Sequence, residues 1–130
     1  MKMRLLMVMV PALTLGFAGA AFAAGSSGNA GNANVAKLIQ AHGCSSCHAA
    51  KSKIIGPAWD WVAWRYKGKS KRTSANEVAK FIVSGGVGYW KKWTGGIPMP
   101  AHPDLKGKKA HAIAKWVLAH PAVKPPKAGG

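Results

Sequence analysis

The sequence predicts a small all-α domain of about four short helices. Three observations carry that expectation. Apolar residues recur at helical spacing in separate short segments, no run alternates apolar and polar residues over a useful length, and glycines and prolines punctuate the segment ends. The 130 residues suit one domain and are too few for a multi-domain enzyme.

Residues 1–23 read as a secretory signal peptide. Lys2 and Arg4 form a basic start, Leu5 to Phe17 is apolar, and Ala21-Phe22-Ala23 supplies the small-residue pattern for cleavage after Ala23. Leu5 to Ala24 is also just long enough to serve as an uncleaved anchor, which is the alternative reading. Export to the periplasm is expected. Residues 24–33, rich in Gly, Ser, Asn and Ala, are expected to be a flexible leader.

The domain itself is expected over residues 34–120. Val35, Leu38, Ile39 and His42 share one helix face, with Asn34 as a cap and Gly43 as the stop. Pro57 can open a second helix, in which Trp59, Val62, Ala63 and Tyr66 face inward until Gly68. Ser74-x-x-Glu77 reads as a capping box ahead of Val78, Phe81 and Ile82, and Gly85-Gly86 ends that helix. A last helix from Lys108 to Ala119 carries Ile113, Trp116 and Val117 and stops before Pro121. Residues 121–130 read as a basic, proline-rich, extended tail.

Composition excludes several functions. The chain carries 19 Lys+Arg against 3 Asp+Glu, a formal charge of +16, so paired-carboxylate catalysis has almost no raw material. Apolar residues make up 48%, too many for a disordered basic tail. With only Cys44 and Cys47, a framework of several disulfides is excluded. Nucleic acid is a poor partner for an exported chain without a recognition motif.

Cys44-Ser45-Ser46-Cys47-His48 is C-x-x-C-H, the pattern that attaches c-type haem. Two thiols three residues apart can add to the two vinyl groups on one edge of the porphyrin, and His48 then lies where its imidazole reaches the iron. A zinc site lacks a second Cys/His pair, and a thioredoxin-type pair lacks its βαβ setting. One covalently bound haem c is therefore expected.

Met99 is the expected sixth ligand. It is the only methionine after residue 9, and Pro98 and Pro100 hold it on a loop rather than on a helix face. Core filling is the ordinary role of a lone methionine. His102, or an open position, is the alternative for the iron. A thioether raises the potential and leaves no place for oxygen or peroxide.

From Cys44 to Ala119 the chain resembles the small bacterial class I cytochromes c of the c-551/c-552 type. The resemblance rests on the haem motif, Ile55-Gly56-Pro57-Ala58, Tyr66-Lys67-Gly68, Ile97-Pro98-Met99-Pro100 and Ala114-Lys115-Trp116-Val117-Leu118. It implies a class I cytochrome c fold, with crossing terminal helices and a haem clasped on all sides but one edge. It also implies that the Pro57 carbonyl accepts a hydrogen bond from the His48 ring. A tryptophan before the methionine often bonds a haem propionate in this family. The glycine-rich context points to Trp90 and the spacing to Met99 points to Trp93; Trp93 is the residue carried forward, with plain packing against the porphyrin as the other reading.

Trp61 and Trp64 fall off the inward face of the second helix, and Arg65 stands one turn from Trp61. They read as a docking patch or cation–π pair, or as a cover for a second part of the core. His42, His111 and His120 read as solvated helix residues. Lys51, Lys53, Lys67, Lys69, Lys71, Lys91, Lys92, Lys106, Lys108 and Lys109 are spread along the chain. They suit steering toward acidic redox proteins such as a terminal oxidase, a reductase or an upstream cytochrome complex, and peripheral contact with anionic lipid. So few carboxylates also suit an acidic periplasm. The expected function is that of a monomeric periplasmic electron carrier rather than an enzyme. The rivals are a small haem enzyme or gas sensor with an open sixth site, and an electron-entry subunit of a membrane complex.

Overall fold

The computed structural model describes residues 26–128, so the expected signal peptide and the first residues of the expected leader lie outside the described part. Among the described residues the architecture is helical, and the only β-pairings are two isolated bridges. None of the described helices is long and apolar enough to cross a membrane.

Helix α1 spans Ser26–Ala41. It begins ahead of Val35, so the segment expected as a flexible leader is helical from Ser26 onward. Once Val35 and Ile39 anchor the helix in the core, each further residue adds a hydrogen bond without a new nucleation cost, and Ala30 and Ala33 propagate it well. Gly43, at φ 63°, turns the chain out of the helix.

Helix α2 spans Trp59–Arg65. Ala58 is its extended cap residue, so Pro57 stands outside the helix and has its carbonyl free for another partner. Trp59, Val62 and Tyr66 pack against the main core as the periodicity predicts. Trp61 does not form an exposed patch with Trp64: it is 7% exposed and packs with Ala58 and Trp90 in a second apolar cluster. The helix is thus buried on two sides, because the residue 90 region returns against the face that looked free in the sequence. Arg65 lies not over Trp61 but over the Tyr89 ring, 4.3 Å from its centre.

Helix α3 spans Lys71–Ser84. Its cap is Ser70, whose hydroxyl accepts from the Thr73 N–H at 3.2 Å. The expected Ser74–Glu77 capping box does not form. Ser74 is buried inside the helix, and Glu77 pairs with Lys69 at 3.1 Å. The pattern Ser-x-x-polar occurs at both serines, and the extended backbone of Ser70 (φ −61°, ψ 142°) decides between them.

Gly85 ends α3 and leads to a turn of 3-10 helix at Gly88–Trp90 and a short helix α4 at Lys91–Thr94, both outside the four predicted helices. Pro103–Leu105 forms another 3-10 turn, and α5 spans Lys108–Leu118 close to its predicted limits. Helices α1 and α3 both pack on α5, so the two terminal helices meet as expected. Val35, Ile39, Val78, Ile82, Ile113 and Val117 join there around fully buried Leu105. Ala110 and Ala114 let the backbones approach closely, and each fully buried Ile, Leu or Val contributes about 1.5–3 kcal/mol. Trp116 packs edge-on against Trp59 and His120.

The tail is extended as predicted, but it is not loose. Val123 N–H donates to the Asp60 carbonyl at 3.1 Å, and Pro125 is buried. The indole N–H of Trp93 donates to the Pro126 carbonyl at 2.9 Å. The tail therefore straps α4 to α2.

Candidate haem site

Gly43 redirects the chain into a 3-10 turn over Cys44–Ser46, closed by Cys47 and His48 N–H groups donating to the Cys44 carbonyl at 3.2 and 3.0 Å. This tight turn brings Cys44, Cys47 and His48 to one cavity. Both thiols are free. Burial pushes the Cys44 thiol above its ordinary value.

His48 is held from two directions. Its Nδ1–H donates to the Pro57 carbonyl at 2.7 Å, the bond expected from the resemblance, and this leaves Nε2 as the free ring nitrogen. The Trp59 ring lies nearly parallel to the imidazole, with centres 6.4 Å apart. Burial lowers the His48 pKa, favouring the neutral imidazole that a metal requires, while the Pro57 bond acts in the opposite sense. The Ala49 and Ala50 carbonyls accept from the Trp59 and Asp60 N–H groups, each at 3.0 Å, tying the motif to the start of α2.

Met99 reaches the same cavity from the far end of the sequence. Its N–H donates to the Gly86 carbonyl at 2.8 Å and its carbonyl accepts from the Gly86 N–H at 2.9 Å, an isolated antiparallel bridge. Gly85, at φ 65°, permits this: a Cβ there would stand 2.5 Å from the Met99 carbonyl oxygen and 2.7 Å from the Ala101 nitrogen.

The cavity and the open solvent at its mouth together span about 1200 Å³. Ile39, Val78, Ile82, Ile113 and Val117 of the helical core reach it, so its interior is apolar. A large, flat, mostly apolar macrocycle with a thiol-reactive edge fits these walls. The half-exposed side chains of Ile55, Tyr89 and Ile97 also line it.

Trp90 lines the cavity, whereas Trp93 is not among its lining residues. The cavity wall thus favours Trp90, the other candidate, over Trp93. An indole has one N–H donor, and that of Trp93 is directed to the tail carbonyl of Pro126. Arg65 was not foreseen at this site and is the only Lys or Arg among the described residues lining it. Gly56 was quoted without a role. A Cβ on it would lie 2.8 Å from both nitrogens of the His48 ring, so its missing side chain makes room for the imidazole. The Gly-Pro pair just before a helix was the available signal for that seat.

No protein-family model matches the chain. It is 43% identical over 83 residues to cytochrome c2 of Rhodocyclus tenuis, covering 63% of this chain and 87% of that protein. It is 38% identical over 84 residues to cytochrome c-551 of Azotobacter vinelandii, covering 65% and 94%. The crystal structure of wild-type cytochrome c552 of Nitrosomonas europaea superposes with a TM-score of 0.55 at 34% identity, covering 64% of this chain and 95% of that one. The chain belongs to the small class I c-type cytochromes. It carries covalently bound haem c with iron and is an electron-transfer protein.

Proposed function

We propose that the protein is a periplasmic one-electron carrier in which His48 and Met99 hold the iron. The observation that carries this reading is the convergence of Met99 with Cys44, Cys47 and His48 on one largely apolar cavity. When bound, the haem supplies reversible exchange of one electron between Fe(II) and Fe(III). Cys44 and Cys47 retain it, each thiol adding its sulfur and hydrogen across a vinyl double bond. His48 offers Nε2, with its orientation fixed through Pro57. Met99 offers its thioether from a backbone pinned to Gly86. Because both side chains stand on fixed backbone, little needs to rearrange on electron transfer. Arg65 and Trp90 are the cavity residues suited to the haem propionates.

The exposed lysines form the docking charge. Lys53 adjoins Ile54 and Ile55, and Lys91 and Lys92 adjoin Tyr89 and Trp90, so positive charge neighbours the apolar side chains at the cavity. Such a surface suits acidic redox proteins: opposite potentials raise encounter rates, and the contact is monomer to partner rather than catalysis on a substrate. Carbon monoxide titration of the reduced holoprotein tests the reading. A low-spin c-type spectrum unchanged by carbon monoxide at neutral pH is expected. A spectrum shifted by the ligand would overturn stable Met99 ligation and favour an enzyme or gas sensor.

A further inference from the structure

Outside the haem-attachment motif, three metal-ligating side chains meet. The ligand atoms of His42, His102 and Asp104 all lie within 4.8 Å of one another. His42 Nε2 is 3.4 Å from Asp104 Oδ2, and the two imidazoles meet edge to face with centres 5.7 Å apart.

The backbone beneath each ligand is fixed. His42 N–H donates to Leu38 at the end of α1, at 3.0 Å, and His102 N–H donates to the Ile82 carbonyl of α3, at 3.1 Å. Leu105 N–H closes the turn onto the His102 carbonyl at 3.0 Å, and the Leu105 side chain is fully buried. Only side-chain torsions remain to be adjusted.

The placement of Asp104 is selective. The chain has only three acids; Asp60 is buried in α2 and Glu77 is paired with Lys69. The remaining one, Asp104, faces an imidazole with its side chain 64% exposed, open to an ion arriving from solvent. A plain His42–Asp104 ion pair would account for two of these groups but not for the second imidazole beside them.

We propose that His42, His102 and Asp104 bind a divalent transition-metal ion of the zinc, copper or nickel kind. Two imidazoles and a carboxylate suit such ions, whereas magnesium and calcium prefer all-oxygen sites. Metal–ligand bonds of about 2.0–2.2 Å require donors roughly 3.5 Å apart, so the most distant pair must close by about 1 Å. His42 and Asp104 already stand 3.4 Å apart, so the separation to close involves His102; side-chain torsions supply that movement, and water fills the remaining positions.

The site touches the redox centre. His102 lines the haem cavity together with Met99. A dication held there favours the less positive, reduced haem, so its binding raises the midpoint potential, and the reduced protein in turn binds the ion more tightly. This coupling rests on the electron-carrier reading; the binding itself does not.

The test is a calorimetric titration of Zn²⁺ into tag-free holoprotein, with His42→Gln and Asp104→Asn as variants, and potentiometry with and without Zn²⁺. The expected result is one ion per chain in the wild type and at least tenfold weaker binding in each variant, with the haem spectrum of both variants retained. Zinc should raise the potential of the wild type alone. Absent binding, or equal binding in all three proteins, would overturn the site and assign any zinc uptake to other histidines. Variant-sensitive binding that leaves the wild-type potential unmoved would retain the site and overturn the coupling.

Discussion

The Pro57 carbonyl accepts the Nδ1–H of His48 at 2.7 Å, while Gly56, immediately before it, leaves the space in which the imidazole lies. One residue therefore fixes the ring and its neighbour gives it room. The backbone between them is further tied to the motif, with the Gly56 N–H donating to the Cys47 carbonyl at 2.8 Å. The seat of the His48 ring is built from main-chain contacts as much as from the side chain itself.

Gly56→Ala should accordingly disturb the proximal side. The added Cβ would stand 2.8 Å from both ring nitrogens, an overpacking expected to cost about 1–3 kcal/mol. Absorption spectroscopy should show a high-spin fraction or poor haem incorporation, and thermal unfolding should begin earlier. A wild-type spectrum and melting curve would contradict the proposed seat.

Gly85→Ala probes the other side. Its Cβ would strike the Met99 carbonyl and the Ala101 nitrogen, both backbone atoms that cannot swing away. Gly95 shares a φ of 65° and has open space around its Cβ position, but its ψ is 19° against −165° at Gly85, so Gly95→Ala reports only the milder left-handed strain of roughly 1–2 kcal/mol with no clash. The reduced Gly85 variant should bind carbon monoxide and the Gly95 variant should not. Equal behaviour would remove the Gly85–Met99 contact from the account.

Trp93→Phe separates a tail anchor from a haem contact. Loss of the Pro126 hydrogen bond should lower stability by about 0.5–1.5 kcal/mol, read by denaturant titration, with the midpoint potential unchanged. A displaced potential would restore Trp93 to the haem.

Ser70→Ala and Ser74→Ala distinguish the two serines at the start of α3. Removing the Ser70 cap should cost about 1 kcal/mol. The buried Ser74 hydroxyl has no partner, so its removal should be neutral or stabilising. The reverse order would move the cap back to Ser74.

Electron exchange should depend on salt in the sense set by a large excess of Lys and Arg over Asp and Glu. Stopped-flow rates with an anionic inorganic oxidant should fall as ionic strength rises, and those with a cationic one should rise. Lys91→Glu with Lys92→Glu should flatten the anionic slope. A slope unaffected by that pair would place the docking charge elsewhere.

What could be read from the residues depended on the range of the interaction. The C-x-x-C-H motif, the Pro-Met-Pro segment and the helix around Ile113 and Val117 are local patterns, and each met its expected structural setting. The periodicity left Trp61 between a docking patch and a second part of the core because its partners, Ala58 and Trp90, are brought together only by tertiary packing. The choice between Trp90 and Trp93 was not legible because the carbonyl that takes the Trp93 indole proton lies in a tail with no periodic signal. The cap of α3 is Ser70 rather than Ser74 because the backbone is extended at Ser70, which the Ser74-x-x-Glu77 pattern does not report. Arg65 reached the cavity by stacking on Tyr89, a contact that helix periodicity does not address.

The central claim is that Met99 completes the iron coordination, and proton NMR of the reduced holoprotein with ¹³C-methyl methionine tests it most directly. Met99 is the only methionine after residue 9, so protein beginning after Ala23 should give one labelled methyl signal. A methyl held against the face of the porphyrin lies in its ring current and should resonate far upfield of free methionine. That position is the predicted result, and it should move to the ordinary methionine range when the ligand is displaced by cyanide in the oxidised protein and its reduced adduct is trapped. A labelled methyl already in the ordinary range in the untreated reduced protein would contradict Met99 ligation.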